Sequence, residues 1–501
     1  KKSMKIAFIQ NMLYPYLGVM YLSAVAKNAR HDVEVFVSDT DISDKFISSI
    51  KCYNPDIVCF STTTSNYGFA KLTSQKIKAV LPNCFILLGG WHPTFNPQIL
   101  EKESCFDALC LGEGEIPFKI FLEYFPDREK IKSVPNFHLK IHNKIYQNPM
   151  CDLIQDLDDI CFPDRSVYYD KYKILRNQLT KVFIVGRGCP YQCTYCFNNN
   201  MKNEYKNKGK YVRFRSPENI IEEINQIRNK YPLKYVQFID DTFNSNKKWL
   251  MSFLDHYEKS VDLPFLACCR VDKLDYEIME KMKKAGVDRI SFAIEHGNEH
   301  FREKVLRRFM KNSSILDGSR IIKEFNVRFH VSNMIGLPGE TLDLAFETLK
   351  INQQIKPNLA ESCVFQPYPG TRIFQVAKEQ GYLDKDINEE NLVEVSSWGA
   401  NKAKLNSVVK GVDINRILNL HSFFHFLVEH PVFLPVIKPL LSLPPNKYFE
   451  FFQNWYYFKI RYKYSGNSRE SLNYVLQLTK TVLPITIQRI IEKFVGYKSM
   501  V

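Results

Sequence analysis

The sequence predicts an α/β protein with an N-terminal doubly wound, Rossmann-like (flavodoxin-like) domain over residues 1–126 and a linker over 127–180. A partial (β/α)6 TIM-type barrel over 181–399 and a mainly helical, aromatic-rich C-terminal region over 400–501 complete it. Three observations carry this expectation. Short apolar, β-rich runs alternate with amphipathic helical patterns in two separate blocks. Glycines, hydroxyls and acids gather directly after those runs, at the strand ends where α/β sheets hold ligands. Beyond residue 400 the period turns helical and aromatic residues crowd together.

In the first block strands are expected at 5–10, 33–38, 56–63, 85–90 and 108–112, with helices such as 18–29 and 67–80 between them. Runs this apolar suit parallel strands covered on both faces. The stretch 127–180 has scattered Pro, Asp and Tyr and no sustained period, as a linker does. Alternation resumes with strands expected at 182–185, 235–239, 265–269, 289–294, 327–335 and 361–366, and helices near 217–229, 247–258, 275–284 and 341–354. Six such units suggest an open barrel whose chemistry sits at the strand carboxyl ends.

The 501 residues are 45% hydrophobic and 24% charged, enough apolar material for packed cores, which excludes wholesale disorder. Lys and Arg outnumber Asp and Glu by 68 to 54, a net +14. That charge suits an anionic cofactor, a phosphorylated substrate or an acidic membrane surface, with a solvated lysine-rich exterior as the plainer account. Thirteen irregularly spaced cysteines without an apolar leader at Lys1 argue against a secreted disulfide scaffold, so a reducing cytoplasm is expected. The apolar stretch 423–441 is interrupted by Glu429, His430 and Lys438 and is too short to span a bilayer.

The run Gly188-Cys189-Pro190-Tyr191-Gln192-Cys193-Thr194-Tyr195-Cys196-Phe197 places three thiols on one short loop, separated by three and then two residues. Thiolates are the usual iron–sulfur ligands, and close spacing lets one loop wrap a cluster without long-range closure entropy. With no fourth cysteine nearby, one iron is left open. Zinc is the alternative, but tetrahedral zinc takes a fourth Cys or His, and neither follows Cys196 before His256.

The triplet, with an aromatic before its last cysteine, resembles the signature of the radical S-adenosylmethionine superfamily, and the resemblance covers about 181–372. It implies a [4Fe-4S] cluster on Cys189, Cys193 and Cys196 whose open iron chelates S-adenosylmethionine. One-electron cleavage then yields a 5′-deoxyadenosyl radical that abstracts hydrogen. The resemblance also implies that Tyr195 and Phe197, flanking the last cysteine, contact the cofactor. Asp240 and Asp241, Arg270, Glu295, and the Gly336-Leu337-Pro338-Gly339-Glu340 turn look like the family's cosubstrate-binding elements. Asp240 or Asp241 would accept from the methionyl ammonium, Arg270 pair with its carboxylate, Glu295 accept from ribose hydroxyls, and the backbone at Gly336 and Pro338 meet adenine. Each charged residue has a strand-end cap as its plainer role.

The first domain resembles the cobalamin-binding module that precedes many radical S-adenosylmethionine enzymes, including methylases and the anaerobic porphyrin-ring cyclase. The matching residues include Leu17 and Gly18, Ser61-Thr62-Thr63, Gly89-Gly90-Trp91-His92-Pro93-Thr94, and Gly112-Glu113-Gly114-Glu115. Glycines let backbone approach a planar macrocycle, and hydroxyls can serve its amides. An Asp-x-His-x-x-Gly run is absent, so no histidine is placed to bind cobalt from below; His92 is the nearest, and a structural role suits it equally.

Cys59, Cys84, Cys110, Cys268, Cys269 and Cys363 fall in or beside apolar strands, where cysteine packs as a small hydrophobe, although alternation turns Cys268 or Cys269 inward. The resemblances together imply a cobalamin-dependent radical methylase acting on an unactivated carbon, or phosphorus, of a small or lipid-like substrate, with an electron donor such as ferredoxin or flavodoxin. The alternatives are a radical cyclase or carbon–carbon coupling enzyme without methyl transfer, and an iron–sulfur electron carrier or cobalamin-binding module. No nucleic-acid partner is expected. The aromatic, basic C-terminal region also allows peripheral membrane contact. Methyl transfer requires the two sets of strand-end loops to face a shared chamber.

Overall fold

The computed structural model describes residues 3–38, 42–384, 387, 407–411 and 413–465. The chain divides into two compact units, one of Lys1–Cys268, Glu280–Val287 and Tyr368–Arg372, the other of Cys269–Met279, Asp288–Pro367 and Ile373–Val501.

The first unit opens with β1 (Lys5–Gln10), β2 (Asp32–Val37), β3 (Ile57–Ser61), β4 (Phe85–Gly89) and β5 (Ala108–Cys110). They pair in parallel in the order β2-β1-β3-β4-β5, the flavodoxin-like order, which reverses direction at β1 and β3. Both faces of β1, β3 and β4 are buried, which explains their unbroken apolar runs. The sheet does not stop at residue 126. Antiparallel β6 (Phe137–Ile141) and β7 (Lys144–Gln147) extend it inside the expected linker. The hairpin turns on His142 and Asn143, both with positive φ, as a type I′ turn requires. Its strands are too short, and its turn too unlike Asn-Gly, to stand out as a pattern.

The same unit holds β8 (Thr180–Phe183), a short antiparallel ribbon of β9 (Gly186–Arg187) and β10 (Arg213–Phe214), then β11 (Tyr235–Phe238) and β12 (Phe265–Cys268). β11 pairs in parallel with β8 and with β12. β8 was expected at 182–185 but ends at Phe183, because Val185 and Gly186 donate their N–H groups to the Asp240 carboxylate at 2.8–3.2 Å.

In the second unit β13 (Val287–Glu295), β14 (Arg328–Ile335) and β15 (Leu359–Val364) are parallel neighbours. Alternate residues such as Ile290, Phe292, Val331 and Ile335 are buried. Helix Ile414–Glu429 adds Leu420, Phe424 and Leu427 to a core shared with Leu349 and Ala360. The expected helical region is therefore helical over Ile414–Glu429, Leu434–Leu440 and Lys447–Ser465. Its residues 400–406, 412 and 466–501, and 385–386 and 388–399 of the expected barrel, lie outside the described residues.

Candidate active site

The three cysteines follow the β9 strand of the ribbon. Gly188 has φ +84, and a Cβ there would stand 2.3 Å from the Tyr211 carbonyl oxygen, so only glycine lets the chain turn into the loop at this point. Cys193 is buried and its neighbours half-buried. The Cys193 carbonyl accepts the Cys196 N–H, and Cys196 caps helix Phe197–Glu204. Cys189 Sγ lies 3.6 Å from Thr242 Oγ1, and Asn198 Nδ2 donates toward Cys196 Sγ at 3.8 Å. Burial pushes the Cys196 thiol up to about 12 and raises Cys189 as well. Among the described residues no three His, Cys, Asp or Glu converge on a single metal ion, as a zinc site would need. In a cubane each thiolate binds a different iron, so its ligands stand farther apart.

The Rossmann-side loops are tied to each other by backbone. Gly90 has φ +95, and a Cβ there would lie 2.5 Å from the Thr62 carbonyl oxygen. Thr62 donates its N–H and hydroxyl to Gly89 O at 2.8 and 3.1 Å, and Thr94 Oγ1 bridges Gly90 O and Gly112 N. Ser61 and Thr63 stand exposed at the end of β3, the Thr63 N–H donating to Asn66 Oδ1 at 2.8 Å. His92 is fully buried, 3.2 Å from Thr64 Oγ1 and packed at a tilt against the Tyr67 ring, and Pro93 is buried beside it. Burial lowers the imidazole to about 4. The ring supports the loop from inside.

Loop and ribbon meet through charge. Glu113 pairs with Arg213 at 2.5 Å and Arg187 at 3.5 Å, while Glu115 pairs with Arg187 at 2.5 Å. The paired guanidinium groups hold Glu115 below the usual carboxylate range despite its burial. The Glu113 N–H donates to Tyr205 Oη at 2.8 Å. Trp91 and Phe95 stack on Phe197, the residue after the last cysteine, at 5.8 and 5.2 Å, and Phe197 meets Tyr368 at 6.0 Å. Between these elements lies a cavity of about 400 Å³, walled by Leu17, Gly18, Gly89, Gly90, Trp91 and Gly112–Glu115 on one side and by Arg187, Gly188, Tyr205, Tyr211, Arg213 and Asp241 on the other. No histidine lines it. Asp241 faces this cavity with its carboxyl raised by burial. Asp240 is turned to the backbone of Val185 and Gly186, and burial raises its carboxyl to about 7.

The strand ends of the second unit are organised mainly by short-range contacts. Arg270 is buried, its Nε and Nη2 paired with Asp272 at 2.8 and 2.9 Å and Nη2 also donating to Phe309 O at 3.0 Å. Glu295 sits at an irregularity in the β13–β14 register with φ +69, a strained backbone for a non-glycine residue. Gly336 and Gly339 both have positive φ, and Glu340 Oε2 accepts the N–H groups of Gly336 and Leu337 at 2.5 and 2.9 Å, closing the turn around Pro338. His296 Nε2 lies 3.2 Å from Glu340 Oε1. Cys268 is half-buried, Cys269 buried, and Cys363 exposed opposite Met334.

The model of the Radical SAM superfamily matches residues 183–350 and that of the B12 binding domain matches 11–122. An uncharacterized methyltransferase of Pyrococcus horikoshii is 30% identical over 72% of this chain and 78% of its own length. The chain belongs to the cobalamin-binding radical S-adenosylmethionine enzymes. The anaerobic magnesium-protoporphyrin IX monomethyl ester cyclase of Cereibacter sphaeroides is 25% identical over 73% of the chain and 61% of its own length. Among solved structures, the cobalamin-dependent S-adenosylmethionine radical enzyme OxsB superposes with TM-score 0.65 at 15% identity, covering 99% of this chain and 75% of that one, a likeness of fold.

As a radical S-adenosylmethionine enzyme it uses a [4Fe-4S] cluster, S-adenosylmethionine and cobalamin. The residues present fit those groups. Three thiols on one loop suit the cluster, and the cavity wall contains glycines 18, 89, 90, 112, 114, 186 and 188, which leave room for a flat macrocycle. Tyr205, Tyr211, Arg187 and Arg213 went unread in the sequence, because nothing local distinguishes a surface arginine from one 72 or 100 residues away from its acid.

Proposed function

We propose that this enzyme is a cobalamin-dependent methylase that transfers a methyl group to an unactivated carbon, or phosphorus, of a small or lipid-like molecule. One observation carries the reading: the loops after β3, β4 and β5 and the elements bordering the cysteine loop wall a single cavity. A methyl donor and a radical must address one substrate atom, and a shared wall supplies the proximity that this demands. When bound, the cluster and S-adenosylmethionine supply hydrogen abstraction, and cobalamin supplies the methyl group.

In this reading Cys189, Cys193 and Cys196 hold the cluster and Phe197 packs its helix against Trp91. Asp241, aimed into the cavity, is the carboxylate for a cationic group, while Asp240 shapes the backbone beneath the loop. In the second unit, Arg270, Glu295 and the Gly336–Glu340 turn are the residues that match the family's cosubstrate-binding elements, with Arg270 held by Asp272. Leu17 and Gly18, the glycines and Thr94 form the corrin bed. A low-potential ferredoxin or flavodoxin supplies the electron, and a reducing cytoplasm suits thirteen free cysteines.

The test is anaerobic purification with cobalamin present, iron and cobalt quantification, and turnover with methyl-labelled S-adenosylmethionine. Iron and cobalt together, with 5′-deoxyadenosine and labelled product, are expected. Iron without cobalt overturns the methylase reading. The similarity to the cyclase favours a second reading, oxidation or cyclisation, in which label stays out of the product.

A further inference from the structure

Helix Lys447–Ser465 carries two apolar faces. Phe449, Phe452, Tyr456 and Ile460 turn inward onto cores that include Phe423, Phe424 and Leu359. Tyr448, Phe451 and Trp455, spaced three and four apart on a second face, are 71%, 46% and 50% exposed. Just before this helix, the proline-rich segment 431–445 presents Val432 and Val436 at 78% and 64% exposure, with Phe433 beside them. The two stretches adjoin: Phe433 lies 5.4 Å from Phe426, Phe426 lies 5.3 Å from Phe452, and Phe452 lies 6.1 Å from Trp455. An aqueous helix normally spends one stripe on the core and gives the other to polar residues. Here the second stripe is aromatic.

Charge identifies the occupant. Residues 431–465 contain five Lys or Arg and a single acid, Glu450. Lys438, Lys447 and Lys459 are exposed, and Lys447 and Lys459 each lie 5.4 Å from a tyrosine ring, Tyr448 and Tyr456. Lysines rimming exposed Trp, Tyr, Phe and Val form the pattern of a surface that lies in a bilayer interface, rings among the acyl chains and ammonium groups at anionic headgroups. No described helix is long and apolar enough to cross a membrane. We propose that residues 431–459 are a peripheral docking surface for an anionic lipid membrane. The proposal stands independently of the methylase reading, since it requires neither cofactor nor turnover.

The test is co-sedimentation of the full chain with vesicles of phosphatidylcholine alone or of equal parts phosphatidylcholine and phosphatidylglycerol. Binding to the anionic vesicles, weakened by salt, is expected, with a Trp455 emission that shifts to the blue on binding and is identified by difference from Trp455→Phe. Phe451→Ser with Val436→Ser should weaken binding by at least about tenfold. Lys438→Glu with Lys447→Glu, which removes the cation over the Phe346 ring but no buried apolar side chain, should cost about fivefold or more per lysine. Three results overturn the proposal: no preference for anionic vesicles; Trp455 emission already blue and indifferent to vesicles, as cover by residues 466–501 would produce; or a lipid-free oligomer that the Phe451→Ser and Val436→Ser changes dissolve.

Discussion

The cavity in the first unit and the strand ends of the second are built from similar residues but held in different ways. At the cavity, acids reach arginines far along the chain, Glu115 to Arg187 and Glu113 to Arg213, and Gly90 presses against the backbone of Thr62. At the second unit's strand ends short-range partners lead: Arg270 holds Asp272, and Glu340 closes on Gly336 and Leu337, with Phe309 O and His296 as the distant additions. The difference teaches that one region is positioned by tertiary packing and the other largely by its own turns. Damage to the first should spread to iron and cobalt loading, whereas damage to the second should leave that loading intact.

The largest expected effect breaks the first region. Cys193→Ala should reduce iron after reconstitution and 5′-deoxyadenosine formation to background, while Cys363→Ala on β15 should retain its iron by the same quantification. Next comes a paired glycine test. Gly90→Ala adds a backbone clash to positive-φ strain and should cost about 3 kcal/mol or more, whereas Gly336→Ala, whose added Cβ meets nothing closer than 3.4 Å, should cost only about 1 kcal/mol. Urea unfolding of the two apoproteins separates them, and equal costs would erase the distinction between the two regions.

Glu113→Leu leaves Arg213, 3% exposed, without its carboxylate and should destabilise by about 2–3 kcal/mol, below the range for a fully enclosed pair because Glu113 retains some solvent. A double-mutant cycle with Arg213→Met should recover part of that loss. The smallest effect, counted per pH unit, is a slope. His92 titrates near 4 in the folded chain against an ordinary 6.5, so between those values the unfolded chain takes up a proton that the native one refuses. Stability should therefore fall as pH drops through that window, by at most about 1.4 kcal/mol per unit, and His92→Gln should flatten the slope. His421, also lowered to about 4 by burial, should keep a residual slope.

Much of this was legible because it is local. The apolar runs of β1, β3 and β4 announce buried parallel strands, and the spacing of Cys189, Cys193 and Cys196 is contained in a run of eight residues. The β6–β7 hairpin was hidden in a stretch without period, and β8 ended early because Asp240, 55 residues on, captured its next N–H. Asp240 and Asp241 are adjacent and alike in sequence, yet one faces backbone donors and the other the cavity.

By itself the sequence determined the strand-and-helix alternation, the three-thiol loop and the glycines that any close approach would need, since these depend on residue type and short spacing. Only the tertiary structure decided which acid meets which arginine, that His92 turns inward, and that Tyr448, Phe451 and Trp455 stand outside their core. Those outcomes depend on which surfaces meet after long loops close, and no local pattern encodes the partner.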